Sequence, residues 1–110
     1  GKALRMADET IHELEIPDGA RDAKEAVEVL RAFIGDGALH VIFDPETFRH
    51  DVTEWGRLLS DIAHHIAKAV ALDGQMESNE ALIQVRDAFN RGVGDSPVAT
   101  TGKIKGRVKH

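Results

Sequence analysis

Asp61, His64 and His65 stand three and four residues apart in the stretch Val52 to Leu72, VTEWGRLLSDIAHHIAKAVAL. A carboxylate one helical turn from an imidazole can accept its N–H and so fix the tautomer and ring orientation. General bases and metal-bound histidines both use that support. Together with His40, on a predicted strand, these residues form the candidate ligand-binding set. The spacing weighs against more than that. Neighbouring histidines point ~100° apart around a helix, so His64 and His65 do not easily share one ion. The helical metal motif H-E-x-x-H puts its histidines at i and i+4, which does not occur here. A hydrogen bond or ion pair along the helix flank is the simpler reading, and no metal or cofactor is expected.

Other chemistry is thinner still. The chain has no cysteine, which removes disulfides, thiolate zinc sites and cysteine nucleophiles together. Ser60 lies beside Asp61 and His64, but neighbours on one helix diverge and no strand-to-helix elbow presents the hydroxyl, so a hydrolase triad is rejected. Trp55-Gly56 is unusual, because glycine inside a helix costs about 1 kcal/mol relative to alanine. Close packing explains it better than phosphate approach: no Gly-rich loop precedes it, and Asp44, Glu46, Asp51 and Glu54 would repel an anion. Those carboxylates also lack the spacing of a calcium loop.

Thr10 to Ile16, TIHELEI, alternates like a strand and is closed by Pro17-Asp18-Gly19. If Leu14 and Ile16 face the core, so does His12, while His40 falls on the face opposite Leu39, Val41 and Phe43. Asp22-x-x-Glu25 resembles a capping box and predicts a helix to about Ile34, with Ala23, Ala26, Val27, Leu30, Phe33 and Ile34 on its buried stripe. Gly35-Asp36-Gly37 is its expected stop. Ala38 to Phe43 is a second strand, broken by Asp44-Pro45-Glu46. Asp51-x-x-Glu54 then opens the long helix, whose Trp55, Leu58, Leu59, Ile62, Ile66, Ala69 and Val70 recur at helical spacing. Asp73-Gly74-Gln75 ends it. Ser78 is expected to cap a third helix from Asn79 to about Arg91, burying Leu82, Val85 and Phe89.

Charge is unevenly spread. Residues 1–93 carry 10 Lys+Arg against 18 Asp+Glu, whereas residues 94–110 carry four against one, within a net charge of −5. The expected organisation is one domain over residues 1–93 and a basic tail over 94–110. In the tail Lys103, Lys105, Arg107 and Lys109 alternate with Ile104, Gly106 and Val108, the pattern of an added strand with a basic face. These four side chains are the candidate partner-binding set. An acidic body, and a tail with no aromatic residue for stacking, argue against nucleic acid. No apolar run approaches the ~20 residues that span a bilayer, and GKALRMADET lacks the apolar centre of a secretion leader. A cytoplasmic protein without membrane contact is expected.

The segments IPDGARDAKEAVEVLRAFI, GALHVIF and WGRLLSDIAHHIAKA, read together, resemble an uncharacterised family of short bacterial domains typical of alphaproteobacteria. The resemblance covers roughly residues 11–90 and rests on Ile16-Pro17-Asp18-Gly19, Glu28 with Arg31, Leu39-His40-Val41, and Trp55-Gly56 through His65. It implies a stand-alone cytoplasmic bacterial protein, places His40, Asp61 and His65 within the motif, and implies no substrate or reaction.

The fold these patterns favour is α+β: a small sheet of two or three strands packed against three helices, in the order β-α-β-α-α with the tail as a further strand. Two strands alone do not make a stable sheet, so dimerisation is expected. The leading functional expectation is a non-enzymatic homodimeric interaction or structural domain. The alternatives are a small-molecule or metal-binding site around Asp61, His64 and His65, and an acidic-partner or nucleic-acid contact through the tail.

Overall fold

Residues 10–95 are described by a computed structural model of the chain. The element order is α1 (Asp18–Asp22), β1 (Arg31–Gly35), β2 (Ala38–Ile42), α2 (Thr53–Leu72) and α3 (Ser78–Asp95). The class is α+β, with a two-stranded antiparallel sheet and three helices.

The first half differs from the sequence expectation. Thr10 is a turn residue, residues 11–16 take no regular secondary structure, and among the described residues this segment joins no sheet. Pro17-Asp18-Gly19 does not simply turn the chain. It starts the single helical turn α1, where the Ala20 and Arg21 N–H groups both donate to the Pro17 carbonyl at 3.1 and 3.0 Å. The helix expected from Asp22 to about Ile34 does not form. The chain leaves α1 extended and enters β1 at Arg31. Val27, Val29, Phe33 and Ile34 are β-branched or aromatic, and such residues prefer the pleated conformation.

Asp36-Gly37, expected to stop a helix, is instead the two-residue turn of a hairpin. Both residues have positive φ, 53° and 79°. That is the combination a type I′ turn requires, and the reason Asp-Gly is favoured there. The register is Arg31 with Ile42, Ala32 with Val41, Phe33 with His40, Ile34 with Leu39 and Gly35 with Ala38. An antiparallel hairpin therefore stands where the sequence pattern placed the end of a helix, its stop and a separate strand. Pleating then puts Ala32, Ile34, Leu39 and Val41 on one face, and Arg31, Phe33, His40 and Ile42 on the other.

In the second half the helix bounds follow the sequence closely, but the burial does not. Leu59, Ile62, Ile66 and Phe89, expected on covered faces, are exposed. A Cβ placed at Gly56, where close packing was expected, would meet no packing neighbour within 4 Å among the described residues. The Asp51 carboxylate accepts from the Thr53 N–H at 3.1 Å and from the Thr53 hydroxyl, fixing the approach to α2. At the far end the Gln75 N–H donates to the Val70 carbonyl (3.2 Å) and the Gly74 N–H to that of Ala71 (3.0 Å), with Gly74 at φ 80°. This pair of bonds around a left-handed glycine is a Schellman motif. Ser78 is the first residue of α3 rather than its cap; the Glu77 carbonyl accepts the Ala81 N–H at 2.9 Å. The helix also continues past Arg91 to Asp95.

Packing is sparse. Among the described residues only Ala67 (3% exposed) and Ala81 (4%) are buried, and no large side chain is fully enclosed. Helix α2 packs with α3, and β1 with β2, but neither pair packs on the other. They are linked by the loop 43–52, where the Trp55 ring meets Phe43 and Phe48 edge-on at 5.3 and 5.0 Å between centroids. None of the described helices is long and apolar enough to cross a membrane.

An added Cβ at Gly37 would force alanine into the left-handed region. Gly37→Ala is expected to cost about 1–2 kcal/mol, seen as a lower urea midpoint at unchanged slope, while Asp36→Asn stays within about 0.5 kcal/mol.

Candidate functional site

Helix α2 carries Asp61, His64 and His65, and all three are exposed. Among the described residues neither histidine is hydrogen-bonded or ion-paired to Asp61. His40 stands on β2, across the strand pair from Phe33. Its ring lies over Gly35, where a side-chain Cβ would come 3.4 Å from the imidazole Cδ2. Helical geometry thus places the α2 trio along one flank, but the hairpin does not bring His40 to it, because hairpin and helices do not pack together. No group of three or more His, Asp or Glu side chains among the described residues is arranged to hold a metal ion. Lys103, Lys105, Arg107 and Lys109 lie outside the described residues.

What the chain does bring together is a charged clasp that the sequence patterns did not reveal. Arg31, at the start of β1, donates from Nε and Nη2 to the two carboxylate oxygens of Glu28 at 3.0 and 2.9 Å. Its Nη1 donates to Glu13 on the N-terminal arm at 3.1 Å. The forked contact to Glu28 has the bidentate geometry that suits guanidinium and carboxylate. Arg31 thereby ties residues 18 apart in sequence. The hydrogen bond from Arg31 holds the Glu28 carboxyl below the usual carboxylate range, with the guanidinium charge acting in the same direction. The same hydrogen bond raises Arg31 in turn. Both groups are open to solvent, so the clasp steers the arm more than it stabilises the fold.

An open groove of about 620 Å³ runs between the arm and the chain entering β1. Leu14, Ile16, Val27, Leu30 and Phe33 line it, beside Glu13, Glu28 and Arg31. A second, shallower concavity of about 480 Å³ lies on the other side of the Glu28–Arg31 pair, against Ile42, Phe43 and Asp44. Glu28 and Arg31 face both spaces, and the shifts of both come from their mutual hydrogen bond. Among the described residues these spaces offer apolar surface beside a charged pair that is already engaged. Glu28 and Arg31 entered the sequence reading only as residues carrying the family resemblance. Their role was hidden because a helical reading left Glu13 no route to Arg31.

The sequence pattern of a domain of unknown function, DUF5076, matches residues 13–97. The chain belongs to that family. The match includes the arm from Glu13 onward, the clasp, the hairpin and both long helices, so the described architecture is that of the DUF5076 domain itself. One solved structure similar to this DUF5076 chain is of a protein from the photosynthetic bacterium Rhodopseudomonas palustrus, described as a "putative pyruvate dehydrogenase". It shares 32% sequence identity at a TM-score of 0.55, over 76% of this chain and 94% of that one. No curated protein matches.

Because Glu28 titrates lower when folded than when unfolded, its contribution to stability is present above the unfolded value. It is lost as pH falls through the lower folded value. Arg31→Ala should return the Glu28 side-chain carboxyl to the ordinary carboxylate range in an NMR titration; an unmoved midpoint would show that the pair does not form in solution. Asp61→Asn and His65→Ala, at exposed positions with no polar partner among the described residues, should each change unfolding stability by no more than about 0.5 kcal/mol.

Proposed function

We propose that this DUF5076 domain is a non-enzymatic interaction module that works as a homodimer, its fold completed by a second copy. The observation that carries this reading is the missing core. A domain of this length ordinarily buries well over half the surface its unfolded chain exposes, yet only Ala67 and Ala81 are buried among the described residues. Leu14 stands 97% exposed, and Ile34 73%. Each aliphatic side chain of that size contributes roughly 1.5–3 kcal/mol when it leaves water. A chain that leaves so many in solvent lacks the free energy to offset its conformational entropy alone. Homodimers whose isolated subunit is unstable are a common solution to that deficit.

The dehydrogenase name belongs to the Rhodopseudomonas protein; what supports the homodimer reading is the exposed apolar surface of this chain instead. A cysteine-free chain and a relative from a bacterium support a cytoplasmic, bacterial setting.

In sedimentation or light scattering, the purified protein should have twice the chain mass. The apparent Tm should fall by about 4 °C for each tenfold dilution, as expected when folding and association are one equilibrium. A single-chain mass with a concentration-independent Tm would overturn the reading.

A further inference from the structure

Resting on the homodimer reading above, we infer how the two copies fit. The aliphatic face of one hairpin (Ala32, Ile34, Leu39 and Val41) packs on the Leu59, Ile62 and Ile66 stripe of the other copy's α2, and the contact is repeated by symmetry.

The hairpin register sets the first surface. Ile34 and Leu39 are directly opposed, flanked by Ala32 and Val41 on the same face. That face has no polar side chain. Ile34 and Leu39 are 73% and 62% exposed, and neither of the long described helices lies on them. A sheet normally keeps a wholly aliphatic face out of water by laying helices on it.

Helical periodicity sets the second surface. On α2, Ala63, Ala67, Val70 and Ala71 follow one side and are buried or half-buried. Leu59, Ile62 and Ile66, at i, i+3 and i+7, follow an adjacent side and stay exposed. The apolar arc of α2 is therefore wider than a single helix partner can cover, and its uncovered part asks for a second layer.

Among the described residues the chain thus owns a sheet face lacking a helix and a helix face lacking a sheet. It does not bring them together: Phe43, directly after β2, packs on Trp55 in the first turn of α2. That contact pins the base of the hairpin at the helix N-terminus, and the stripe lies one to three turns farther on. A second copy supplies both missing layers, because each hairpin finds the other's stripe and the same contact forms twice around a two-fold axis. An unrelated partner would have to match two separate faces. The seven side chains leave on the order of 600 Å² of surface per copy, most of the ~800 Å² that each partner gives up in a stable dimer.

The absence of cysteine in the sequence allows a direct test by cross-linking. Leu39→Cys and Ile62→Cys variants are prepared separately, mixed, unfolded and refolded together, then oxidised, with each variant alone as control. A disulfide needs Cα atoms within about 7 Å, so the mixed sample should give about tenfold more two-chain disulfide than either control. The Leu39→Cys/Ile62→Cys double variant should cross-link between chains. An internal disulfide in single chains would show the hairpin folded onto its own helix and overturn the inference. Light scattering on the same samples separates the two claims. Dimers without the mixed disulfide would place the interface elsewhere and leave the homodimer reading intact. Monomers at every concentration would remove both.

Discussion

Removing apolar surface from water is the dominant favourable term in folding, and in this chain that term is divided among pieces that do not share a core. Along the α2–α3 pair the buried residues are alanines, with larger side chains such as Leu58, Leu82 and Val85 only half-buried. Small side chains let two helix backbones approach closely, but an alanine brings little apolar area with it. Burying Ala67 and Ala81 fixes the geometry of the helix pair while leaving most of the driving force unused. The hairpin is in a similar position: its ladder satisfies the inner backbone groups, and its larger side chains remain in solvent.

Trp55 is the joint between the two halves. Its contacts with Phe43 and Phe48 set where the hairpin departs from the helices, and edge-to-face aromatic pairs add directional preference to plain burial. The loop between them is short and shaped by its own polar groups. The Thr47 hydroxyl and N–H both donate to the Asp44 carbonyl, and the Arg49 N–H to that of Glu46, with Arg49 at φ 59°. The Arg31 clasp acts on the other side of the hairpin, drawing the arm toward β1 through charge alone. Aromatic packing places the hairpin; solvated ion pairs guide the arm. The first is the stronger constraint.

Those parts of the fold that one strong local signal dictates were legible in the sequence. Apolar spacing and the Asp73-Gly74 stop delimited α2 to within a residue, and strict alternation found β2. Residues 22–34 misled because Ala23, Ala26, Val27, Leu30, Phe33 and Ile34 also satisfy a 3.6-residue period, and Asp22-x-x-Glu25 imitates a cap. Short apolar runs are ambiguous by periodicity. The deciding evidence was the Asp36-Gly37 dipeptide, a two-residue hairpin signal set between β-branched and aromatic residues. Once β1 is a strand, Glu28 and Arg31 no longer share a helix face, and Arg31 can reach Glu13. At the candidate site, the sequence placed Asp61, His64 and His65 on one helix. It could not say whether the carboxylate would turn toward an imidazole, because that depends on side-chain rotamers that solvent leaves unconstrained.

The hairpin register has a consequence for time as well as for shape. Its most distant pair, Arg31 with Ile42, closes a short loop, and α2 and α3 are joined by a connection of only a few residues. Structures built from such near-neighbour contacts form quickly, hairpins in ~1–10 μs and helices faster still. Each chain therefore samples its hairpin and helix pair many times over before two chains diffuse together at cellular concentrations, without holding them for long. In the proposed dimer, the encounter between chains, rather than the search of one chain through its own conformations, sets the pace at which the native state appears. During that interval the aliphatic hairpin face is open to any exposed sheet edge it meets, which makes fresh synthesis the moment of greatest aggregation risk.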